Sequence, residues 1–265
     1  MATEDENIHH RVLNSVVSII PDLPFDVTPP EIAQHVYTIV AHITGNNDPC
    51  HEAKQRDNQF ALSLYPHFKE AVTNSSDSLL AASKLAIAGN SMDLGPQSSY
   101  SDFDSMAELA LVSPLAIDDY EEFKRNVENK SHILYLGDNA GEIVFDRILI
   151  EELRQIKDFE IYFVVREKPI INDATLHDAI SIGIDKVAKI VSSGCSAPGT
   201  ILSQCSRGML ELYQSADIII AKGQGNYESL SDETKNIFFL LKAKCPIVAK
   251  PLGINVGDAI LKRGA

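Results

Sequence analysis

The chain has 265 residues, 45% of them hydrophobic, and a formal net charge of -14. This length and apolar content allow a sizeable core, either in one large domain or in a core with a helical appendage. The acidity argues against a nucleic-acid-binding surface, which would need a basic patch to release counterions.

The cysteines and the apolar runs indicate the cellular context. The four cysteines are widely spaced and form no C-x-x-C pair, so neither a zinc site nor a disulfide framework is predicted. No segment reaches the ~18 apolar residues of a membrane span, and the start of the chain, residues 1–7, is too acidic for a signal peptide. We expect a cytoplasmic protein with reduced thiols that binds neither nucleic acid nor membrane.

Helical periodicity dominates the chain from about residue 7 to residue 129. Thr28-Pro29-Pro30-Glu31 is typical of a helix start, and the run from Gly45 to Pro49 is typical of a helix stop. The predicted helices cover residues 12–20, 32–43, 51–65, 68–73, 78–87, 101–111 and 117–127. We therefore predict an N-terminal all-helical domain, residues 1–129, that contributes to the active-site cleft.

After Lys130 short apolar runs alternate with helical stretches. The runs predict strands at 133–136, 160–165, 189–191, 218–221 and 246–249, and helices lie near 142–156, 174–183, 199–213 and 231–243. Continuous apolar strands that alternate with helices indicate a parallel sheet covered on both faces. The predicted fold class is α/β. Residues 130–265 form a Rossmann-like, three-layer α/β/α core with a mainly parallel sheet, which carries the metal and phosphate site.

Two loops after predicted strands carry oxygen ligands. Asp138 and Asn139 follow the first strand, and Asp173 follows the second. In open α/β sheets the ligand crevice lies beyond the carboxyl ends of the strands, so Asp138 and Asp173 could share one hard cation such as magnesium or manganese. The alternative is that these residues only cap the helices that follow them.

Two further loops offer groups that suit a phosphate. Residues 192–200 are mostly small and place Thr200 near a helix start, although this loop could equally be a plain connector. Lys222 and Gly223 begin a loop that offers one positive charge and accessible backbone amides. The Gly-Gln-Gly of this loop is a poor dinucleotide fingerprint, because Glu228 holds the third glycine position.

Together the four loops predict metal-assisted attack of water on a phosphate ester. The metal would polarise a phosphoryl oxygen and lower the pKa of bound water, and Lys222 would offset the developing charge. A phospho-aspartyl route is disfavoured, because Ala140 stands where a D-x-D motif would need its second acid.

Five motifs in this order resemble the metal-dependent damage-control phosphatases, also called DUF 89, in their stand-alone prokaryotic branch. They span about residues 85–260 and are Ala88-Gly89-Asn90-Ser91-Met92-Asp93, Gly137-Asp138-Asn139-Ala140-Gly141-Glu142, Asn172-Asp173-Ala174-Thr175, Ala197-Pro198-Gly199-Thr200 and Lys222-Gly223-Gln224-Gly225-Asn226-Tyr227-Glu228.

The resemblance implies a function and a set of site residues. Family members hydrolyse small phosphate esters, including phosphorylated sugars and damaged phosphometabolites, so the implied partner is a small phosphorylated metabolite. The implied ligands of a divalent metal (Mg, Mn, Co or Ni) are Asp138, Asn139 and Asp173. Asp138, Asp173 and Lys222 are the predicted catalytic residues. The predicted substrate- and phosphate-binding residues are Asn90, Asp93, Glu142, Thr200, Lys222, Gly223 and Asn226.

The sequence departs from the family pattern at two places. Residues 1–21 lack the cysteine pair with which prokaryotic relatives usually begin, and Cys195-Ser196 replaces an Asp common before the Ala-Pro-Gly-Thr run. Two other functions stay open: a non-catalytic metal or phosphometabolite-binding protein, and an S-adenosylmethionine-dependent carboxyl methyltransferase, which the lack of an early G-x-G loop disfavours. The sequence does not indicate the natural substrate, the physiological metal or the oligomeric state.

Overall fold

The computed structural model describes residues 2–92 and 100–264 and, within them, one seven-stranded sheet. The strands follow the spatial order β1-β7-β6-β5-β2-β3-β4. Their bounds are β1 Ile117–Asp118, β2 His132–Leu136, β3 Glu160–Val165, β4 Lys189–Ser192, β5 Ile218–Lys222, β6 Ile237–Lys242 and β7 Ala259–Arg263.

Helices precede the sheet in the chain and then alternate with its strands. The α-helices are α1 Glu6–Ile19, α2 Pro29–Thr44, α3 His51–Thr73, α4 Ser78–Gly89, α5 Tyr100–Val112, α6 Tyr120–Asn129, α7 Glu142–Ile156, α8 Leu176–Ser181, α9 Arg207–Ser215, α10 Gly223–Leu230 and α11 Pro246–Leu252. Single 3₁₀ turns lie at Ile20–Asp22, Ile184–Lys186 and Leu202–Gln204.

Each face of the sheet is covered by its own hydrophobic core. Alternate strand residues such as Tyr135 and Phe163 pack with side chains of α3 to α8, and the residues between them, such as Leu134 and Phe239, pack with α9, α10 and α11. Side chains of a strand point alternately to the two faces, so a sheet buried on both sides has continuous apolar strands. The predicted α/β/α fold with a mainly parallel sheet is confirmed.

The order of the strands places a crevice between β2 and β5. Strands β2 to β6 run parallel to one another, whereas β7 runs antiparallel to β6. From β2 the chain winds outward to β3 and β4, and then returns to β5 and winds in the opposite direction to β6. Such a reversal opens a crevice outside the carboxyl ends of the two central strands, where α/β proteins bind ligands.

Several predicted helix boundaries agree with the structure. Helix α7 begins at Glu142 and ends at Ile156, as its apolar period indicates. At the start of α2, the carboxylate of Glu31 accepts hydrogen bonds from both the backbone N–H and the hydroxyl of Thr28, at 2.8 Å each. This reciprocal cap satisfies donors that a helix start leaves without an intrahelical partner.

Two predicted elements near the end of the chain are wrong. The stretch predicted as a helix over 231–243 contains strand β6, and the run predicted as a strand at 246–249 is helix α11, which begins at Pro246. The six residues of β6, Ile-Phe-Phe-Leu-Leu-Lys, are almost fully buried between two layers. Such positions in a sheet favour β-branched and aromatic residues, of which the run contains one isoleucine and two phenylalanines. Proline suits the first turn of a helix because its missing N–H would have no partner there.

The predicted boundary between residues 129 and 130 stays a prediction. Strand β1 lies before this boundary and pairs with β7, and helix α4 makes extensive contact with α7. The helical part and the α/β core therefore share one sheet and one apolar core. Helix α3 is also continuous through Pro66, where two helices are predicted. In the described residues no helix is long and apolar enough to cross a membrane.

Candidate active site

The loop from β2 to α7 places Asp138 and Asn139 in the crevice between β2 and β5. This loop ends in a tight turn at Gly141. The φ of Gly141 is +78°, a backbone conformation that residues with a side chain rarely adopt. The backbone N–H of Gly141 donates to Asn58 Oδ1 of α3 at 2.7 Å. A side chain from the helical part therefore fixes the loop that carries both candidate metal ligands.

Backbone hydrogen bonds join this loop to the loop that carries Asp173. An isolated antiparallel bridge pairs Asn139 with Asp173. The N–H of Ala174 donates to the carbonyl oxygen of Asp138, and the N–H of Ala140 donates to the carbonyl oxygen of Asn172, both at 2.8 Å. The two loops therefore hold the Asp138, Asn139 and Asp173 side chains, all largely buried, at a fixed spacing.

Two amides donate to the carboxylates of the cluster. Asn90 Nδ2 lies 3.0 Å from Asp138 Oδ2 and 2.9 Å from Glu142 Oε2. Asn139 Nδ2 lies 2.8 Å and 3.2 Å from the same two oxygens. Because both hydrogens of the Asn139 amide have acceptors, its carbonyl oxygen is the atom available to a ligand.

The electrostatics of the cluster fit a bound cation. Burial, together with the charges of Glu142 and Asp173, raises the pKa of Asp138 well above its ordinary value. Burial also raises the pKa of Asp173, and the guanidinium of Arg166 opposes this rise. Like charges that are buried together need a compensating positive charge.

The donor set itself suits a hard divalent metal. It consists of two carboxylates and one amide oxygen, which magnesium and manganese prefer to soft ligands. Over residues 2–92 and 100–264, no three His, Cys, Asp or Glu side chains are grouped to hold a metal. The candidate protein ligands of such a site are Asp138, Asn139 and Asp173.

Lys222 lies at the end of β5 and is fully buried. Its ammonium donates to Glu142 Oε1 and Asp146 Oδ1 at 2.6 Å each, and to the carbonyl oxygen of Ala86 at 2.9 Å. Burial alone would lower the pKa of Lys222, but the charges of Asp146 and Glu142 outweigh it and raise that pKa. Burial raises the pKa of Asp146 to about 6, although Lys222 opposes the rise. All three N–H groups of the ammonium are thus engaged inside the protein.

Arg166 ties the Asp173 loop to the other two predicted phosphate loops. Its Nε donates to Asp173 Oδ2 at 2.7 Å, and its two terminal nitrogens lie 3.4 Å from Thr200 Oγ1 and 3.3 Å from Asn226 Oδ1. The Thr200 hydroxyl also donates to Asn226 Oδ1 at 2.8 Å. Asn226 in turn donates to the carbonyl oxygens of Lys222 and Gly137, which links the ends of β5 and β2.

Glycines in this region leave room for close approach of the backbone. A Cβ on Gly223, where φ is +78°, would lie 1.8 Å from Asp138 Oδ2. A Cβ on Gly225 would lie 1.9 Å from the carbonyl oxygen of Pro198. Both distances are far below van der Waals contact, so the arrangement of the loops requires glycine at these two positions.

The structure gathers nearly all of the predicted site residues into one polar cluster. Asp93 lies outside the described residues. The residues that the cluster joins are Asn90, Asp138, Asn139, Glu142, Asp173, Thr200, Lys222, Gly223 and Asn226. Their separate roles in binding metal and phosphate stay predictions.

Sequence reasoning did not single out several residues that this cluster uses. The one sequence signal for Arg166 is its position directly after β3. Asp138 and Lys222 lie at similar positions, just after or at the ends of their strands. Asp146 lies one helical turn after Glu142, so both face the same side of α7 and the same lysine. Asn58 carried no signal, because it is a single amide in the middle of an ordinary helix.

The fold and this cluster define an α/β/α protein with an acidic, amide-rich candidate active site at the switch point of its sheet. A model of the damage-control phosphatase ARMT1-like domain matches residues 1–260. The chain therefore belongs to that family, which confirms the resemblance and the prediction of a phosphatase.

The similarity of this chain to individual relatives extends over nearly the whole length of each. The chain is 39% identical to an uncharacterized protein of Methanocaldococcus jannaschii, over 98% of this chain and 88% of the relative. It is 37% identical to a damage-control phosphatase of Pyrococcus horikoshii, over 99% of this chain and 91% of the relative. The crystal structure of a DUF89 family protein from Pyrococcus horikoshii has a TM-score of 0.92 and 36% identity, and the match covers 100% of this chain and 92% of that one.

Proposed function

We propose that this phosphatase hydrolyses small phosphate esters, either sugar phosphates or damaged phosphometabolites, with the help of a divalent metal. The observation that carries the proposal is the interlocking of the Asp138 and Asp173 loops at the switch point, where two carboxylates and one amide oxygen converge. A cytoplasmic location stays a prediction.

Asp138, Asn139 and Asp173 would hold the metal, for which magnesium, manganese, cobalt and nickel are the candidates. A divalent cation, when bound, polarises a phosphoryl oxygen and acidifies water. Arg166 keeps Asp173 in position through its 2.7 Å ion pair, and Asn90 keeps Asp138 in position through its amide. Neither ligand needs to reorganise when the substrate arrives, and such preorganisation is a large part of enzymatic rate enhancement.

The phosphate would lie beside the ends of β2 and β5. Thr200, Gly223 and Asn226 line this side of the cluster, and Gly223 lets the backbone approach closely. Hydrolysis joins a water oxygen to phosphorus and breaks the bond to the ester oxygen, which keeps the bonding electrons and takes up a proton. Lys222 holds the Glu142 carboxylate, and the Asn90 amide joins that carboxylate to Asp138.

A screen of purified protein tests this function. Sugar phosphates, nucleotides and a chromogenic phosphate ester are offered with each metal in turn, and phosphate release is measured. We expect metal-dependent turnover that Asp138→Ala abolishes and that Asp185→Ala, a change of an exposed acid on a 3₁₀ turn, leaves intact. Full activity in excess chelator contradicts the metal requirement. Ligand binding without turnover across the whole panel favours a non-catalytic binding protein instead.

A further inference from the structure

The first two helices form a hairpin, residues 6–44, that has hardly any buried side chains. Helix α1 has 14 residues, none of them buried, and α2 has 16 residues, of which Pro30 alone is buried. None of the Val, Leu, Ile, Phe and Tyr residues of the hairpin is buried, and none belongs to a hydrophobic cluster of the described residues. Apolar surface of this extent on a soluble protein marks a site of interaction.

The inner side of the hairpin rests on the α/β core through α2. Helix α2 packs against α10, and α1 packs against α2. At the junction with the core, Pro30 lies beside Gly199, where an added Cβ would be 3.1 Å from the Pro30 Cβ. Helix α1 therefore forms an outer layer, one helix further from the core than α2.

Helix α1 has apolar residues on two of its sides. One side includes Val12 and Ile19, which are partly buried. On another side Leu13, Val17 and Ile20 follow the spacing i, i+4, i+7, and they are 59%, 56% and 57% exposed. We call these three residues the outer stripe. A surface helix normally has one apolar side and one polar side, so the outer stripe indicates a second packing partner for α1.

The hairpin is also poor in acidic residues, although the chain contains 37 of them. Residues 7–21 and 32–47 contain no Asp or Glu, and the turn between the two helices carries a fully exposed Phe25. Charged residues are depleted and aromatic residues are enriched at the centre of protein interfaces. Two copies of a chain with a net charge of -14 repel each other, so a surface without acids is where they can meet.

Other occupants fit this surface less well than a second copy does. Residues 12–50 contain no Lys or Arg, which an anionic membrane surface or a nucleic acid would need. Residues 93–99 of the chain itself contain one large apolar side chain, that of Leu94, which is too small to cover the outer stripe.

We propose that the hairpin is the contact surface of a symmetric dimer, in which the outer stripe of each copy packs on the hairpin of the other. A two-fold contact uses the same patch on both copies, so an apolar stripe is its own complement. Two hairpins supply four helices, the number that forms a compact bundle around an apolar core. The inference is independent of the proposed function.

The size of the hairpin is sufficient for a stable dimer. Helices of 14 and 16 residues, with their connecting turn, present about 20 residues on one side. Each partner of a stable interface contributes about 20–30 residues. The hairpin alone can therefore supply one half of such an interface.

Sedimentation equilibrium of the purified full chain tests the proposal. We expect wild type to have twice the mass of one chain and to dissociate on dilution. Val17→Asp places a charge in the stripe of both copies, so the Kd of the dimer should rise about thirtyfold or more, as for a central interface residue. Val256→Asp is the matched control, because Val256 is 53% exposed and lies in the loop before β7; it should dimerise like wild type.

A second variant separates a lost contact from a damaged helix. Leu13→Gln keeps a residue of good helix propensity and should still weaken the dimer about tenfold or more. Circular dichroism should show unchanged helix content, since the side chains of the outer stripe are more than half exposed within one chain. The Tm of wild type should rise with protein concentration, and that of Val17→Asp should rise less.

Three results would overturn the proposal. The first is a wild-type protein that stays monomeric at every concentration at which it is soluble. The second is a dimer that both Val17→Asp and Leu13→Gln leave as tight as wild type, which would place the contact on another surface. The third is a monomeric wild type that binds phosphatidylcholine vesicles and a Val17→Asp variant that does not, which would assign the stripe to a lipid surface.

Discussion

At the scale of single residues, the environment of Lys222 differs from the one that the sequence predicts. The glycines that follow it predict a mobile phosphate-binding lysine, whereas the structure encloses it between Glu142 and Asp146. A buried charge that is paired twice contributes to stability mainly because its partners would otherwise be buried alone. The direct contact of Lys222 with phosphate stays a prediction, and stability measurements can test it.

Lys222→Met should lower the free energy of unfolding by about 3–5 kcal/mol, because it leaves two carboxylates buried without their cation. Urea unfolding followed by circular dichroism measures this change. Lys189→Met is the matched control, since it breaks an exposed pair with Glu160 and should have little effect. A Lys222→Met protein of normal stability that has lost phosphate binding would instead support direct contact with the substrate.

Replacement of Asp138 should have the opposite effect on stability from replacement of Lys222: it should stabilise the fold and abolish function. Asp138→Asn removes a charge that is buried beside Glu142 and Asp173, and burial has raised the pKa of this group. A raised pKa means that the ionised form destabilises the fold at neutral pH, so in chelator the variant should be more stable by about 1 kcal/mol or more. Thermal unfolding in chelator measures this, and phosphate release should be lost in the same variant. A less stable variant would show that the Asp138 charge is already compensated in the metal-free protein.

At the scale of elements, helix α3 clamps the two loops that carry the candidate metal ligands. Asn58 accepts from Gly141 of the first loop and donates to Asp178 Oδ1 at 3.3 Å. Asp178 Oδ2 accepts from the backbone N–H and the hydroxyl of Thr175, at the end of the second loop. One amide therefore sets the spacing of both loops, and with it the geometry of the metal ligands.

Asn58→Ala should weaken divalent metal binding about tenfold or more, the range found when groups that orient metal ligands are removed. Calorimetric titration with manganese measures the affinity directly. Gln59→Ala, which changes the exposed neighbour on the same helix, serves as the control. Unchanged affinity in Asn58→Ala would mean that the backbone bridge between Asn139 and Asp173 suffices to set the spacing.

The accuracy of the sequence predictions differs among the elements for physical reasons. Helix α7 is predicted at both ends because its apolar period extends over its whole length, and strands β2, β3 and β5 are predicted within one residue because turn residues bound most of the apolar runs. Strand β6 is predicted as part of a helix and helix α11 as a strand, because a short apolar run has no period that distinguishes a helix from a strand. Their identity depends on whether neighbouring strands are present to pair with them.

The same distinction applies to the candidate site. Asp138, Asn139, Asp173 and Lys222 lie directly at or after strand ends, so the strand pattern alone places them on one edge. Asn58 and Arg166 act largely through contacts between segments far apart in the chain, which a single sequence does not reveal.

At the scale of the whole molecule, the candidate metal site joins the helical part to the α/β core. Residues of α3, α4, α7 and three strand ends meet there, so a cation bound at this point would stabilise all of them together. A ligand that binds only the folded state raises stability by mass action.

Saturating manganese or magnesium should therefore raise Tm, and chelator should lower it again. At a metal concentration of 100 times Kd the gain is about 2.7 kcal/mol, which corresponds to roughly 5–10 °C for a chain of this size. Differential scanning fluorimetry measures the shift, and Asp138→Asn should remove it. A shift of the same size in Asp138→Asn would place the stabilising metal elsewhere.

Strand β6 has a consequence for the behaviour of partly opened molecules. Its Ile-Phe-Phe-Leu-Leu-Lys run lies between β5 and β7, and β7 is joined to β6 by an antiparallel ladder from Phe238 to Lys242. If β7 detaches, β6 becomes an unprotected edge whose first five residues are apolar, which is the typical starting point for intermolecular strand pairing. Strand β7, Ala259–Arg263, therefore protects β6 from intermolecular pairing. The solubility of this protein on mild heating depends on how firmly β7 stays paired with β6.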